Sequence, residues 1–337
     1  MAQPNQCRCF IRVSLQFFVF LGLCSINFGQ VFASERLEVV DDLGNQVMLE
    51  SPAVRIVSLA PHLTEILFEL GVGDNVIATV SYADFPEEAK LIPRVGGAFS
   101  VNVELLVAMQ PDIIFAWESG GVNKSLKRLE NLGFTIFRNE APSLAGIANT
   151  IQEIAVLVGK ADTGQRLSNQ YRSRLTRLAQ FPAKNDSIDM DAIRVFFQIS
   201  DQDLYTVSGQ HLIGQAINLC GGVNLFDSVP ISVPLANLES VLRGQPDIIF
   251  ITRMPESPVS PWEGRWSKLI GNNVRVFPID PNLISRTQYK NVGWRGVNVR
   301  CNKKCVVSYR PLRVVYSSRQ SRISAVPAFT PQVARKM

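Results

Sequence analysis

The chain has 337 residues, 46% hydrophobic and 19% charged, which suits one large globular domain or two of ordinary size. Its formal net charge of +5 is unevenly placed: residues 289–337 hold eleven Lys and Arg and no acidic side chain, whereas residues 34–288 hold 21 basic and 29 acidic ones. An acidic body lacks the attraction to phosphate backbones that nucleic-acid binding requires, so we exclude nucleic acid as a partner.

The N-terminal 33 residues have the pattern of a secretory signal. Arg8 and Arg12 precede an apolar run, residues 13–23, that is too short to cross a membrane comfortably. The small residues that follow predict cleavage after Ala33 and export to the periplasm. A lipoprotein cut before Cys24 and an uncleaved anchor are the alternatives. No later stretch approaches the roughly 20 apolar residues of a membrane helix.

Hydrophobic patterns predict the elements of the first half of the chain. We predict a buried strand at residues 55–59, ending in a loop at Ala60-Pro61. A helix at 64–70 follows, ended by Gly71, and then a second strand at 75–80. These alternating elements are typical of an α/β unit.

Residues 142–181 lack strand patterns and show helical spacing instead, at residues 143–158 and 161–178. The second helix is basic and amphipathic, with one apolar stripe: Leu167, Tyr171, Leu175 and Leu178. Beyond it, a strand at 194–199 and a helix at 212–219 match the first strand and helix of the chain. A long helix is a natural rigid connection between two such units.

An internal repeat is the most informative feature. Residues 102–115 and 237–250 share the pattern N-x-E-x-x-x-x-x-Q-P-D-I-I-F at a constant offset of 135. Asn102 and Asn237 are good N-caps, the helix ends before the proline, and an apolar strand follows. A helix, turn and buried strand therefore occur twice, which predicts two similar α/β lobes with mainly parallel sheets.

These observations predict a division of the chain into five parts. Residues 1–33 are the signal, and one long helix within a linking helical segment joins the two lobes. The boundaries that we predict after the signal are 34–141 for the N-terminal lobe, 142–182 for the linking segment, 183–287 for the C-terminal lobe and 288–337 for a basic tail.

Several strings together resemble a known family. They are residues 55–61 with Thr64-Glu65, residues 81–86, the repeat, and residues 221–226. The chain resembles the cobalamin-binding periplasmic proteins of ABC importers over about residues 53–287. Those proteins belong to the class whose lobes are joined by one long helix, which also includes siderophore and haem receptors.

The resemblance implies roles for individual residues. Cobalamin lies in a cleft between the lobes of these proteins, held largely by aromatic side chains. The side chains of this sequence that match or adjoin the ligand contacts are Tyr82, Phe99, Trp117, Tyr205, Asn282 and Arg286. Glu104 and Glu239 match surface carboxylates that dock onto arginines of the permease dimer, one per lobe. Two family tryptophans are replaced, since Ala98 (beside Phe99) and Val233 stand at their positions.

Plainer interpretations exist for most of these residues. Glu104 and Glu239 are also well placed to stabilise helix N-termini. Trp117 and Tyr82 could belong to the core, and Tyr205 could be an ordinary surface residue. His62 and His211 each lie at a helix start, which favours capping or core roles over ligand binding.

Patterns that carry catalysis are missing from the sequence. It contains no G-x-S-x-G, P-loop, H-E-x-x-H or G-x-G-x-x-G. Ser208 and His211 stand in a turn before a helix, with no obvious acid or base beside them. Cys301 and Cys305 lack the second pair that a zinc site needs. We therefore expect a binding protein and not an enzyme, with no catalytic cofactor and no bound metal.

The tail from about residue 288 differs in character from everything before it. It carries no acidic residue and no clear period. The resemblance implies instead an amphipathic helix whose cysteine pairs with Cys220. The simplest interpretation is a shift of reading frame near 288, which leaves Cys220 without its family partner, although Cys301 or Cys305 could pair with it. A genuine basic extension is the alternative.

The predicted function is the capture of cobalamin or a related corrinoid by an exported monomer, for delivery to an ABC importer permease. Siderophore or haem capture on the same scaffold is the first alternative. A siderophore favours several converging Arg or Lys side chains, and haem an axial His or Tyr. An exported hydrolase is the alternative from another class, and it requires a nucleophile and a base together in the cleft.

Overall fold

The chain folds into two α/β lobes, each built around a four-stranded parallel sheet. The structure is a computed structural model that describes residues 36–180, 193–200, 202–254, 257–271 and 274–281. The predicted signal, the basic tail, Asn282 and Arg286 lie outside the described residues. Within the described ranges, no helix is long and apolar enough to cross a membrane.

The first lobe opens with an antiparallel hairpin of β1 (Leu37–Val40) and β2 (Gln46–Leu49). The strands of its parallel sheet are β3 (Ile56–Ser58), β4 (Val76–Thr79), β5 (Ile113–Trp117) and β6 (Ile136–Asn139). Their spatial order is β4-β3-β5-β6. The helices of this lobe are α1 (Pro61–Glu69), α2 (Val103–Met109) and α3 (Asn123–Asn131).

Two helices, α4 (Ile147–Leu157) and α5 (Ala161–Ala179), follow the first lobe and pack against each other. The apolar face of α4 is buried in the first-lobe core. The predicted stripe on α5 is confirmed: two of its side chains, Leu167 and Tyr171, are buried in that core, and Leu175 and Leu178 pack against it.

The second lobe repeats the topology of the first. Its strands are β7 (Ile193–Gln198), β8 (Gly222–Asn224), β9 (Ile248–Thr252) and β10 (Arg275–Ile279). Its helices are α6 (Leu212–Leu219), α7 (Leu238–Gly244) and α8 (Pro261–Ile270). The spatial order is β10-β9-β7-β8, so both sheets have the order 2-1-3-4 when strands are numbered within their own lobe. The two apolar strands of the repeat, β5 and β9, therefore hold the same place, as predicted.

The alternation of side chains along β5 buries both faces of the first sheet. Ile113 and Phe115 pack into one cluster with α1 and α4, while Ile114 and Ala116 pack into a second with α2 and α3. Successive side chains of a strand point to opposite faces, so a strand covered on both sides is a continuous apolar run. In the second lobe, Trp266 of α8 is fully buried in the corresponding core.

The repeat has a repeated backbone geometry. Asn102 caps α2 by accepting a hydrogen bond from Leu105 N at 2.9 Å, and Asn237 caps α7 by accepting one from Ser240 N at 2.7 Å. Each helix ends in a left-handed glutamine, Gln110 at φ 45° and Gln245 at φ 44°. This turn precedes the proline and directs the chain into the strand.

The aspartate of each repeat ties its strand to the first strand of the same lobe. Asp112 accepts hydrogen bonds from Val54 N and Arg55 N, both at 2.8 Å. Asp247 accepts one from Arg194 N at 2.8 Å and also binds the Arg194 guanidinium. The shared Q-P-D therefore fixes a helix end and the start of a central strand pair in both lobes.

The lobes meet through α6. The side-chain amide of Gln215 accepts a hydrogen bond from Leu144 N at 3.0 Å and donates one to Pro142 O at 3.1 Å. Three apolar side chains of the same helix pack against the first-lobe core: Leu212, Ala216 and Leu219.

Two predicted helix starts are wrong. α1 begins at Pro61, within the predicted loop, because proline at the first helical position loses no intrahelical hydrogen bond. α4 begins at Ile147, four residues later than predicted. The Ser143 hydroxyl accepts the N–H of Gly146 at 3.0 Å, and such a local bond favours a turn over a helix.

Candidate functional site

The carboxyl edge of the first-lobe sheet exposes three large rings. Trp117 ends β5, Tyr82 lies in the loop after β4, and Phe99 lies in the loop before α2. Their exposed fractions are 36%, 69% and 86%. Open α/β sheets bind ligands at the carboxyl ends of their strands. We call these three residues the first-lobe edge.

The loop that carries Tyr82 is fixed by an arginine. The Arg94 guanidinium donates hydrogen bonds to Val80 O and Ala83 O at 3.1 Å each, and it forms an ion pair with Asp84. Tyr82 itself has the left-handed φ of 68°, which is uncommon for a tyrosine. The backbone between these anchors therefore turns so that Tyr82 is left exposed.

Trp117 is supported from inside by a histidine. The rings of Trp117 and His62 meet edge to face, with centroids 5.9 Å apart and planes at 83°. His62 is buried at the start of α1, and its Nε2 lies 2.7 Å from Asn139 Oδ1, at the end of β6. Burial lowers the pKa of His62 to about 4, so the imidazole is neutral near pH 7.

A carboxylate continues this chain of contacts. Asn139 Nδ2 donates to Asp42 Oδ2 at 2.6 Å, and Glu140 N donates to the same oxygen at 2.9 Å. The Thr150 hydroxyl lies 3.2 Å from both carboxylate oxygens. Burial is the largest influence on Asp42 and raises its pKa, while the hydrogen bonds oppose that shift. The polar groups behind Trp117 are therefore bonded to one another.

A second carboxylate near this chain is poorly satisfied. Glu153 lies on α4, and its Oε2 is buried without a hydrogen-bond partner among the described residues. Burial, together with repulsion from Asp42 and Asp41, raises the pKa of Glu153 to about 7. Within the described ranges, no group of three or more His, Cys, Asp or Glu side chains is arranged to hold a metal ion.

The second lobe presents a different surface. Residues 204–208 run antiparallel to 232–236, with Thr206 N donating to Pro234 O and Ser208 N to Ser232 O, both at 3.0 Å. Four side chains of these paired segments, or next to them, are exposed: Tyr205, Ile231, Val233 and Leu235. We call these four residues the second-lobe edge.

Sequence reasoning missed Ile231 and Leu235. The signal was present, because Ile231, Val233 and Leu235 alternate with Ser232 and Pro234, the period of an extended segment with one apolar face. The structure leaves all three apolar side chains exposed, so this face has no cover within the described part of the lobe.

Two predicted ligand contacts, Asn282 and Arg286, lie outside the described residues. The strand that precedes them is described: β10 ends at Ile279, parallel to β9. Their roles stay predictions.

Glu104 and Glu239 are both exposed, each in the first turn of its helix. Each forms an ion pair on its own lobe, Glu104 with Arg128 at 3.0 Å and Glu239 with Arg243 at 2.6 Å. The pKa of Glu104 is lowered, first by a hydrogen bond from its own backbone N–H and then by Arg128. Each of these helices precedes a strand of the sheet, β5 or β9, and the chain reverses direction between the two. The start of the helix therefore lies near the carboxyl end of the strand, and both carboxylates lie toward the carboxyl edges of the sheets.

The two histidines have the structural roles predicted for them. His62 is buried and bonded to Asn139, and His211 caps α6, its Nδ1 accepting a hydrogen bond from Ile213 N at 3.1 Å. Ser208, in the turn before α6, is buried, and its hydroxyl accepts the N–H of Gln210 at 3.2 Å. Cys220 follows α6, is exposed and forms no disulfide with any described residue.

Two lobes of one strand order, with aromatic and aliphatic side chains exposed at the carboxyl edges of both sheets, define a two-lobed α/β binding protein. The sequence profile of the periplasmic binding protein family matches residues 56–265. The vitamin B12-binding protein of Vibrio campbellii is 32% identical over 238 residues, which cover 70% of this chain and 84% of that relative. The chain therefore belongs to the periplasmic binding protein family.

Solved structures agree with this assignment. The periplasmic vitamin B12 binding protein BtuF of Vibrio cholerae superposes with a TM-score of 0.62 at 32% identity, covering 70% of this chain and 93% of that one. The periplasmic heme-binding protein RhuT from Roseiflexus sp. RS-1 has a TM-score of 0.59 at 22% identity, with coverages of 69% and 93%. The second likeness shows the shared fold alone.

Proposed function

We propose that this protein captures cobalamin, or a closely related corrinoid, between its two lobes and delivers it to the permease of an ABC importer. In this proposal residues 1–33 direct export to the periplasm, where the protein acts as a monomer. The division into lobes at residues 141, 182 and 287 and the frame-shifted tail belong to the same proposal.

One observation carries the proposal: large rings are exposed at the carboxyl edge of the first sheet, and apolar side chains at the edge of the second. A corrin is a broad macrocycle with two faces, and aromatic side chains bind such faces by stacking and by burial of apolar area. Single exposed apolar side chains are common on soluble proteins, whereas a group of them at one edge marks a surface that a ligand or a partner covers. Relatives named as vitamin B12-binding proteins, 32% identical to this chain, support the same ligand.

The alternatives on this scaffold differ in the groups they need. Haem favours an axial histidine or tyrosine. Both histidines of the chain are already engaged within the polypeptide, which leaves the exposed Tyr82 and Tyr205 as the groups that haem would use. Siderophores favour several converging basic side chains. Arg94 lies in the first lobe near the loop of Tyr82, but its guanidinium already donates hydrogen bonds to that loop.

Calorimetric titration of the purified protein with cyanocobalamin tests the proposal, with hemin and a ferric hydroxamate siderophore titrated in parallel. We expect saturable binding of cyanocobalamin at one equivalent, tighter than either of the others. Leu132→Ala serves as the matched control, because Leu132 is 55% exposed in the same lobe and lies between the end of α3 and the start of β6, away from the carboxyl ends of the strands. Saturable binding of hemin alone would replace cobalamin by haem.

We propose further that Glu104 and Glu239 dock the protein onto the permease. Two equal charges at equivalent places in two similar lobes suit a partner with twofold symmetry. Arginines of such a partner would replace Arg128 and Arg243, and their forked geometry would fix the orientation of the complex. Exposed ion pairs contribute little individually, so the effect should fall on register and encounter.

Charge reversal tests docking separately from capture. The double variant Glu104→Lys, Glu239→Lys should lose uptake of cobalamin in cells while its calorimetric affinity stays unchanged. Glu88→Lys is the control, since Glu88 is exposed on the same lobe outside the repeat. Loss of ligand affinity in the double variant would show that these residues line the pocket or hold the fold, and docking would be abandoned.

A further inference from the structure

Trp117 stands at the surface end of an ordered chain of polar groups. His62 meets its ring edge to face, Asn139 bonds to His62, and Asp42 bonds to Asn139. We propose that His62 and Asn139 are positioning residues, which hold the ring of Trp117 in its ligand-binding orientation before the ligand arrives. This inference rests on the proposed role of Trp117 in corrinoid capture.

The direction of each hydrogen bond follows from the far end of the chain. Glu140 N can only donate, so Asp42 Oδ2 is an acceptor. Asn139 must therefore turn its Nδ2 toward that oxygen, which leaves its Oδ1 facing His62. An amide oxygen only accepts, so the Nε2 of His62 carries the proton and donates it.

This directionality fixes the imidazole ring. A buried ring held by packing alone can settle in more than one orientation, whereas a donor at Nε2 aimed at one acceptor selects a single one. Because the imidazole is neutral near pH 7, the same tautomer persists over the ordinary working range. The ring of Trp117 then packs against a surface of fixed shape, perpendicular to its own plane.

If His62 and Asn139 served only to fill the core, apolar side chains would serve more simply. His62 and Asn139 bring two polar side chains into the interior and Asp42 is half-buried beside them, and each unmet hydrogen bond there is costly. An apolar side chain at residue 62 would fill the space between α1 and β6 without that risk. What the polar chain adds is orientation, and the group that receives it is the half-exposed Trp117.

The expected benefit is the ordering of one large side chain in advance of binding. Immobilising such a side chain on association weakens binding by about three- to tenfold. Loss of the support should therefore raise the Kd for cyanocobalamin by about that factor, and only while Trp117 is present.

Two substitutions separate the ring of His62 from its hydrogen bond. His62→Phe keeps a ring beside Trp117 but cannot donate to Asn139, whereas His62→Gln keeps an N–H donor without the ring. Asp42→Ala removes the acceptor of the Asn139 amide at the far end of the chain and changes no contact of Trp117, so it serves if the His62 variants do not fold. Each is combined with Trp117→Ala in a double-mutant cycle, and circular dichroism checks folding.

We expect each variant to weaken cyanocobalamin binding about three- to tenfold in the native background and less than twofold in the Trp117→Ala background. Equal losses in both backgrounds would assign His62 and Asn139 to general structure and overturn the inference. A native protein that binds no cyanocobalamin defeats the proposed function instead.

A ligand-free readout keeps the inference testable in that event. The chain has four tryptophans. After incorporation of 5-fluorotryptophan, the ¹⁹F signal of Trp117 is assigned by its loss in Trp117→Phe. That signal should broaden or shift in the His62 and Asp42 variants, while those of Trp262 and Trp266 stay in place. An unchanged Trp117 signal would overturn the positioning role whatever the ligand is.

Discussion

The two edges that we assign to the ligand cleft are built differently on the same topology. At the end of β5 the first lobe carries Trp117, supported by His62 and Asn139. At the equivalent end of β9 the second lobe carries Thr252, whose hydroxyl donates to Ile199 O inside the lobe. The exposed apolar side chains of the second lobe come instead from an extended segment, residues 231–235.

The difference teaches where a duplicated fold is held constant and where it is free to change. Both lobes keep the capping asparagine, the left-handed glutamine and the aspartate of the repeat. Each of these residues satisfies backbone groups that every copy of the fold must satisfy. The carboxyl edges carry no such requirement, so their side chains differ between the lobes.

The largest expected effect compares one residue from each edge. Trp117→Ala should weaken cyanocobalamin binding by about 1–3 kcal/mol, the scale of a lost aromatic contact. Leu235→Ala should cost less, about 0.5–1 kcal/mol, because less apolar area is removed. Calorimetry on both variants measures the contrast. Unchanged affinity in a folded Trp117→Ala protein would assign Trp117 to the core.

Asp112 and Asp247, the aspartates of the repeat, test the part of the comparison in which the lobes agree. Asp112→Ala removes the acceptor of two backbone N–H groups and should lower the free energy of unfolding by about 1–2 kcal/mol. Asp247→Ala removes one backbone acceptor and an exposed ion pair, and should cost roughly 1 kcal/mol. Urea unfolding monitors both. A negligible loss in both variants would show that the shared Q-P-D does not hold the strand pairs.

A pH-dependent effect should be confined to the first lobe. The folded protein holds the pKa of Glu153 at about 7, above its ordinary value of 4.5, so between these values the folded state binds more protons than the unfolded state. The free energy of unfolding therefore falls as the pH rises from 4.5 to 7. Glu153→Gln should remove this loss and stabilise the protein by roughly 1–2 kcal/mol at pH 8 but not at pH 4.

Thermal unfolding at the two pH values measures the effect, with Glu88→Gln as the exposed control on the same lobe. His62 acts in the opposite direction, because its folded pKa of about 4 lies below the ordinary 6.5. Between these values the unfolded state binds more protons at His62 than the folded state does, so the free energy of unfolding falls as the pH falls from 6.5 to 4. Equal stabilisation by Glu153→Gln at both pH values would rule out the titration of Glu153 as the cause.

The smallest expected effect comes from moving a ring to the second lobe. Val233→Trp adds aromatic area to the second-lobe edge and should tighten cyanocobalamin binding by about 0.5–1 kcal/mol. The gain should persist in Trp117→Ala if the two rings contact separate parts of the ligand. A loss of affinity would show that the segment 231–235 packs closely on the ligand and has no space for a larger side chain.

Local patterns predicted most of the fold. The ends of α6 match the prediction at both residues, since glycines follow the apolar run, and the strands β5 and β9 were predicted from the repeat. The start of α1 was missed because proline permits a helix start as readily as a loop.

Less of the site could be predicted. Single exposed rings such as Trp117 stand at strand ends, where topology places ligands, and the sequence displays them directly. The chain from His62 to Asn139 to Asp42 joins residues 77 and 97 positions apart, and no local period records such contacts. The alternation at Ile231, Val233 and Leu235 was readable, but a proline within it weakens the pattern of a strand.

A crystal structure of the protein with cyanocobalamin is the most direct test of the central claim that both edges hold one ligand. We expect the corrinoid between the lobes, with one part of it against Trp117 and Tyr82 and another against Val233 and Leu235. A corrinoid bound away from the carboxyl edges of the two sheets, or in contact with one lobe alone, would contradict that claim.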